Sequence, residues 1–497
     1  MVYIKINNEL EFHGGYKMSL IPMAIFIGFC IAFFIVFKVF EMEALAMGGV
    51  VGIIAGSFFS KNWKKYWDSV LEGISNPMTG VLIMILLVVG IFTGLMGKSG
   101  VAEGFVWLGN EIGLKGGVFT AFTFVTTCII ATATGTSIGT LFSAFPILYP
   151  AGILLGANPA LLAGAILSGA IFGDNLAPIS DTTIASAATQ RYKNKEGSAD
   201  IGGVVATRFK YSIIAAIAAT VLYLVFGGGG SVGTGATELL QKYTDPKGLI
   251  MLIPVAILLY VAIKTRDIFT AITWGIVTGT IIALGFGILT FKDILSVKDG
   301  ALTGFLYTGF RNMIGTSIFC IALFGIVGIL NASGTMDRLV NAIVTSDLAK
   351  TPRGAEICLA IGIMLSSLSM GSATGPAIIM FGPIANDVGR AVNLHPYRRA
   401  NLIDGFANTI PIIVPFISAF IFIVLIVIQG LQKDYSFIQT INPITIALST
   451  FHPIMLFIVF AFSVITGWGR AFEGENGEPI AESNQGSKSS ASRTKSV

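Results

Sequence analysis

The feature that most constrains this chain is a succession of apolar runs, each long enough to cross a lipid bilayer. They lie near residues 19–40, 44–60, 79–97, 118–134, 137–157, 161–188, 209–226, 248–263, 268–290, 312–330, 355–370, 373–389, 401–429 and 443–467. About 20 apolar residues in helical rise span the hydrocarbon core. Within hydrocarbon only helices and closed barrels satisfy their own backbone. Composition points the same way: 54% of the 497 residues are hydrophobic and 12% charged, against about 25% charged in soluble domains. With 59 Gly, 37 Phe and a mean hydropathy of +0.81, the chain reads as an all-α polytopic membrane protein.

Other classes are set aside by what the chain carries. A net charge of +4 is too small to argue for nucleic acid. Cys30, Cys128, Cys320 and Cys358 have no CxxC spacing, which speaks against disulfides and thiolate metal sites. His13, His395 and His452 are isolated, so no zinc site is expected. The first 18 residues are polar and lack a secretory cleavage pattern, so the first apolar run is read as a permanent span.

Two pairs of runs are joined with almost no loop, 118–134 to 137–157 through TATGTS and 355–370 to 373–389 through MGSATGP. Each pair is either two crossings or a re-entrant hairpin, and both return the chain to its starting side. With the N-terminus in the cytoplasm, KNWKK (61–65), RYKNK (191–195), Arg208, Lys210, KTR (264–266), Arg390, Arg398 and Arg399 all fall inside, as does the tail. That satisfies the positive-inside rule. The expected organisation is a cytoplasmic segment 1–18, a first transmembrane half 19–226, an external glycine-rich linker 227–247, a second half 248–467, and a disordered cytoplasmic tail 468–497. It predicts about ten full crossings plus two hairpins, with both termini inside.

The halves resemble each other in order. LEGISNPMTG (71–80) aligns with YTGFRNMIGT (307–316), matching Gly73 to Gly309 and Asn76 to Asn312. GLMGKSGVAE (94–103) aligns with GILNASGTMD (328–337). The tips share ATG at 133–135 and 373–375, and GDNLAP (173–178) aligns with FANTIP (406–411). On the topology above, equivalent spans run in opposite directions, so the repeats are inverted. Such repeats place substrate near the midplane between broken helices of both halves.

The polar residues within the apolar runs are the candidates for chemistry. Asp174, Asn175, Ser180, Asp181, Thr182 and Thr183 cluster around Pro178, which cannot donate the helical hydrogen bond. A central Asp costs roughly 2.5–3.5 kcal/mol to insert, so two in one segment call for a use. The first tip adds Thr132, Thr134, Gly135, Thr136 and Ser137. The second half adds Ser369, Ser372, Thr374 and Gly375, then a facing wall of Asp404, Asn408 and Thr409. Hard oxygen donors of this kind suit sodium, and a carboxylate that exchanges a proton for the cation couples two ions. Any one Ser or Thr here also serves ordinary helix packing. The aspartates are structural only if a buried cation pairs with them, with Arg311 or Arg399 as the available candidates. Glu356 reads as interfacial and His395 as solvated.

GDNLAPISDTT, preceded by SGAIF, resembles the signature of NhaC-type sodium/proton antiporters, usually closer to GDKLSPLSDTT. The resemblance extends more loosely over residues 20 to 467. It implies the fold of the wider ion transporter superfamily, with inverted repeats, hairpins and broken helices. It also implies sodium at Asp174 and Asp181 as coupling carboxylates, with Ser180, Thr182 and Thr183 nearby. Asn175 stands where the family often has Lys, and Ala177 where it often has Ser. Losing that cation removes a competitor for sodium and leaves room for a larger substrate.

The expected function is therefore Na+/H+ antiport across the plasma membrane, without an enzymatic reaction or a bound cofactor. The alternative is sodium- or proton-coupled transport of a small organic acid, as in malate/lactate exchange, or of an amino acid. An intramembrane aspartyl protease is a remote alternative, because FGDN is not GxGD and both aspartates lie on one segment. Lipid is the expected surrounding partner, and a homodimer is compatible with the sequence.

Overall fold

A computed structural model describes residues 10–37, 42–75, 77–230, 245–265, 267–298 and 300–481. The first half holds α1 (Ile21–Ile31), α2 (Met42–Ser57), α3 (Trp63–Ile74), α4 (Pro77–Lys98), α5 (Val101–Glu111), α6 (Gly116–Thr134), α7 (Ser137–Leu154), α8 (Pro159–Leu176), α9 (Asp181–Thr189) and α10 (Ile201–Phe226). The second holds α11 (Leu252–Thr265), α12 (Ile268–Gly285), α13 (Phe305–Asn312), α14 (Ile314–Ala332), α15 (Thr335–Val344), α16 (Pro352–Ser369), α17 (Thr374–Ala391), α18 (Pro396–Ala407), α19 (Ala419–Asp434), α20 (Pro443–Ser449) and α21 (Phe451–Thr466). Two small hairpins complete it, β1 (Ser296–Lys298) with β2 (Ala301–Thr303), and β3 (Phe472–Glu473) with β4 (Pro479–Ile480).

Local chemistry sets the helix starts. Asn158 accepts from the Ala160 and Leu161 amides ahead of α8, and Pro159 fills the first turn where no donor is needed. Thr351 before Pro352 and His395 before Pro396 repeat the device. Among the described residues, five helices or helix series are long and apolar enough to cross a membrane: Gly116–Thr134, Ser137–Leu154, Pro159–Thr189, Ile201–Phe226 and Phe305–Ala332. The count reaches seven if the two bent pairs, near 83–111 and 443–466, are one span each. Burial separates these spans. The windows in α7 and α8–α9 are 94% buried inside the protein, whereas that in α10 is 33% buried and presents its remaining surface outward. The helices that carry the aspartates are thus the protein's interior.

The halves interlock reciprocally. α3 packs against α14, where Gly73 and Gly328 meet so closely that a Cβ on either would collide with backbone. α13 packs against α4 through an equivalent collision between Gly309 and Gly90. The short helix of each half therefore lies on the long helix of the other. Asn76, matched above to Asn312, lies outside the described residues.

The C-terminal segment differs from its expectation. The tail expected to be disordered from 468 is structured to 481, because β3–β4 docks on the bundle. The carboxylate of Glu473 accepts from the Lys193 and Asn194 amides, and the His395 amide donates to the Ala471 carbonyl. Residues 482–497 lie outside the described residues. In the linker, Gly227–Gly230 is fixed by the Asn158 amide on the Gly227 carbonyl and the Gly230 amide on the Gly156 carbonyl. Residues 231–244 lie outside the described residues.

Candidate ion and solute site

A cavity of about 260 Å³ lies where two helix hairpins meet a broken helix. Thr134, Gly135, Thr136 and Ser137 come from the α6–α7 tip, and Gly371, Ser372, Thr374 and Gly375 from the α16–α17 tip. Asp174 and Asp181 come from the two sides of the α8–α9 break, and Phe324, Phe420 and Ile423 form an apolar side. Each tip is forced by backbone geometry. Gly135 ends α6 at φ 68°, in the left-handed region that suits glycine. The other tip holds Gly371 at φ 63° and, unusually, Ser372 at φ 69°. A non-glycine residue there costs of order 1–2 kcal/mol. Ser372 is kept in place by its amide on the Ser367 carbonyl (2.8 Å) and its hydroxyl on the Pro411 carbonyl (2.5 Å).

The two carboxylates meet different hairpins. Asp174, 4% exposed, accepts from the Ser137 amide at 3.1 Å and the Ser137 hydroxyl at 2.5 Å, so it sits on the N-terminus of α7. Asp181 accepts from the Thr182 amide at 2.9 Å and is open to the cavity. It lies against the N-terminal turn of α17, where a Cβ added at Gly375 would fall 2.7 Å from Oδ2. Helix N-termini carry partial positive charge and favour anions. Each aspartate thereby faces one hairpin, and no ion pair reaches either among the described residues. Around the break, Thr182 donates its hydroxyl to the Asp174 carbonyl (2.8 Å), and its oxygen lies 2.9 Å from that of Ser180.

Behind the cavity is a second polar layer. Asp404, Asn408 and Thr409, expected as the facing wall, are buried and do not line the cavity. Asp404 instead pairs with Arg208 at 2.5 Å, both side chains fully buried. Arg208 also donates to the Asn175 carbonyl (2.6 Å), the Asn401 side-chain oxygen (3.0 Å), and the hydroxyls of Thr183 and Ser186. Asn175 donates to Asp404 at 3.2 Å and accepts from the Ser212 hydroxyl. Asn175 and Thr183 therefore link the α8–α9 break to this pair without lining the cavity, while Thr182, also off the cavity, bonds within the break.

Sequence reasoning missed Arg208 by counting it among cytoplasmic loop charges. Asp200 caps α10 eight residues earlier by accepting from the Gly203 amide, so Arg208 lies two turns inside the helix. The available signal was an N-cap aspartate followed by the apolar stretch IGGVVAT. Arg398 and Arg399 are likewise buried in α18. Arg398 pairs with Glu356 at 2.7 Å, and Arg399 donates to the Asn386 and Arg191 carbonyls. Glu356 is thus an internal acid rather than an interfacial one. His395 is buried rather than solvated, its Nδ1 accepting from the Tyr397 amide. Asp267, also missed, lines the cavity while capping α12.

The sequence profile of the Na+/H+ antiporter family matches residues 12–228 and 236–409. The chain is 27% identical over 338 residues to the malate-2H(+)/Na(+)-lactate antiporter of Bacillus subtilis, covering 65% of this chain and 70% of that one. It is 27% identical to the arginine/ornithine antiporter ArcD of Halobacterium salinarum, over 71% of this chain and 74% of that one. To the Na(+)/H(+) antiporter NhaC of Bacillus subtilis it is 22% identical, over 63% and 71% of the two chains.

Proposed function

The chain belongs to the Na+/H+ antiporter family, and from that membership we propose that it exchanges sodium for protons with Asp174 and Asp181 as the coupling carboxylates. The family is one of multi-pass antiporters and not of enzymes. The observation that carries the reading is the placing of two carboxylates from one broken helix in a single cavity, each against the first turn of a different hairpin. Sodium entering the cavity finds carboxylate oxygens, the hydroxyls of Thr136, Ser137 and Thr374, and carbonyls freed at the breaks, all hard donors. Protons arriving at the same carboxylates displace it. Occupancy by one ion excludes the other, which is the coupling.

Alternating access follows if the hairpins rock against the rest. The reciprocal packing of α3 on α14 and α13 on α4 supports inverted repeats, the architecture that rocks about a fixed site. The proposed arrangement is about ten crossings plus two hairpins in the plasma membrane, both termini inside. Lys61, Lys64, Lys65, Arg191, Lys193, Lys195 and Lys264 still support that orientation after the buried arginines are removed from the tally. The test is sodium-driven proton flux in proteoliposomes: Asp174→Asn and Asp181→Asn each abolish it, and normal flux in both variants refutes the assignment.

A second reading is supported by cavity size. About 260 Å³ with an apolar side of Phe324, Phe420 and Ile423 exceeds what one sodium ion fills and suits a small organic acid or amino acid carried with the ions. Uptake of radiolabelled malate, lactate, arginine and ornithine under sodium and proton gradients tests it. Robust sodium/proton exchange without uptake of any of the four retires it. The protease alternative has no support in the family or in the site, where Asp174 is engaged by Ser137.

A further inference from the structure

The cavity between the hairpins carries charge of one sign. Asp174, Asp181 and Asp267 line it, and among the described residues no Lys, Arg or His does. Asp267 enters from the start of α12, where its carboxylate accepts from the Phe269 amide (3.2 Å) and the Thr270 amide (3.0 Å). Arg208, in the layer behind, pairs with Asp404 and is fully buried there. Backbone donors that would serve an anion are already engaged, the Ser137 amide by Asp174 and the Thr182 amide by Asp181. A carboxylate solute entering this cleft meets like charge, which rejects it, whereas a cation is drawn in.

The opposite wall asks for something other than an ion. The apolar side continues into a smaller hollow of about 20 Å³ between α14 and α19, which shares Phe324, Ala419 and Ile423 with the cavity. Phe319, Leu323 and Phe422 close it, and the Cys320 thiol is the one polar side-chain group among its lining residues. Such a space is large enough for a single water but offers it almost no hydrogen bonds, and apolar hollows of this kind stay dry until an apolar group fills them. Sodium, which seeks hard oxygen donors, gains nothing from this wall.

We propose that the cavity accepts a small organic ammonium ion with an apolar body, its head on Asp181 and its body against Phe324, Ala419 and Ile423. Asp181 is solvent-exposed and open to the cavity, so its oxygens are within reach of the head. An ammonium has three donors and no acceptor, which matches carboxylates and hydroxyls and makes it a competitor of sodium. The proposal rests on the reading of this cavity as a solute site and narrows the solute from organic acids and amino acids to amines.

The experiment measures binding of tritiated phenethylamine to the full chain in detergent micelles at neutral pH and constant ionic strength, where no proton gradient exists for a weak base to collapse. Phenethylamine binds saturably and is displaced by sodium. Hydrocinnamate, the carboxylate with the same phenyl body and linker, does not displace it. Methylammonium, the head without the body, competes at least about tenfold more weakly. Asp181→Asn abolishes the binding. Ala419→Leu, which fills the hollow, brings phenethylamine close to the affinity of methylammonium. Absence of saturable binding overturns the proposal, as does displacement by hydrocinnamate, equal affinity for the two amines, or retention of binding in Asp181→Asn. An unchanged ratio of the two amines in folded Ala419→Leu overturns it too. Sodium/proton exchange in a protein that binds no phenethylamine sinks this proposal alone. Phenethylamine binding in a protein without that exchange supports it while refuting the exchange reading.

Discussion

Asp174 and Asp181 meet the same difficulty, a carboxylate within an apolar scaffold, through different neighbours. Asp174 is enclosed and receives two donors from one residue, the Ser137 amide and hydroxyl. Asp181 faces the cavity and relies on the Thr182 amide and the bare backbone at Gly375. Hydrogen bonds to charged groups contribute about 1.5–3 kcal/mol. Ser137→Ala removes one of them from Asp174, and the apparent KM for sodium in proteoliposome exchange rises about tenfold or more while the protein stays folded. An unchanged KM would show that Ser137 does not hold the carboxylate proposed to couple the ions. The motif GDNLAPISDTT was enough to single out both aspartates. Their partners were not legible as pairs, since Ser137 lies 37 residues from Asp174 and Gly375 lies in the other half.

At the scale of elements, α10 joins the site to the protein's polar end. Arg208, two turns into it, pairs with Asp404 of α18 and crosses to the α8–α9 break through Asn175 and Thr183. Removing one partner of a buried pair leaves an uncompensated charge, typically at a loss of about 3–5 kcal/mol. Arg208→Met is therefore expected to lower the unfolding midpoint strongly, and Arg208→Met with Asp404→Leu to recover most of it; equal loss in single and double variants would rule out the pair as the cause. The helix start gives a pH-dependent prediction. The Tyr397 hydroxyl, then the Gly203 amide, holds the Asp200 carboxyl below the usual carboxylate range. A depressed folded-state value means the contribution is complete above the ordinary carboxylate pKa and is lost as pH falls through the depressed one. Hydrogen exchange in the first turn of α10 should stay slow at neutral pH and, on an intrinsic-rate-corrected scale, lose protection on acidification. Asp200→Asn should flatten that dependence. The capping aspartate was readable from sequence. The tyrosine that biases it, 197 residues away, was not.

For the whole molecule, the close glycine contacts set how the halves fit. Gly73 against Gly328 and Gly309 against Gly90 leave no room for a side chain. Overpacking a tight contact costs typically 1–3 kcal/mol. On the proposed inverted repeat Gly73 and Gly309 are equivalent positions, so Gly73→Leu and Gly309→Leu should lower the unfolding midpoint by similar amounts and both slow exchange. A large effect in one and none in the other would deny the equivalence. The internal matches in the sequence placed Gly73 and Gly309 at corresponding positions. That each one packs on the opposite half emerged only when the chain was folded.

By itself the sequence determined the class of molecule, the two glycine-broken tips and the two aspartates, because bilayer-length apolar runs and intramembrane charges are local and costly. It did not determine which charges are paired. Arg208, Arg398, Glu356 and His395 were each assigned to solvent or an interface from their chain neighbours, and folding buried all four. Burial and pairing depend on partners brought from distant segments: Asp404 for Arg208, Arg398 and Arg470 for Glu356, and the Gly477 turn for His395. The tail followed the same rule. Its composition gave no apolar face, yet Glu473 found two backbone amides nearly three hundred residues earlier, and those bonds order it.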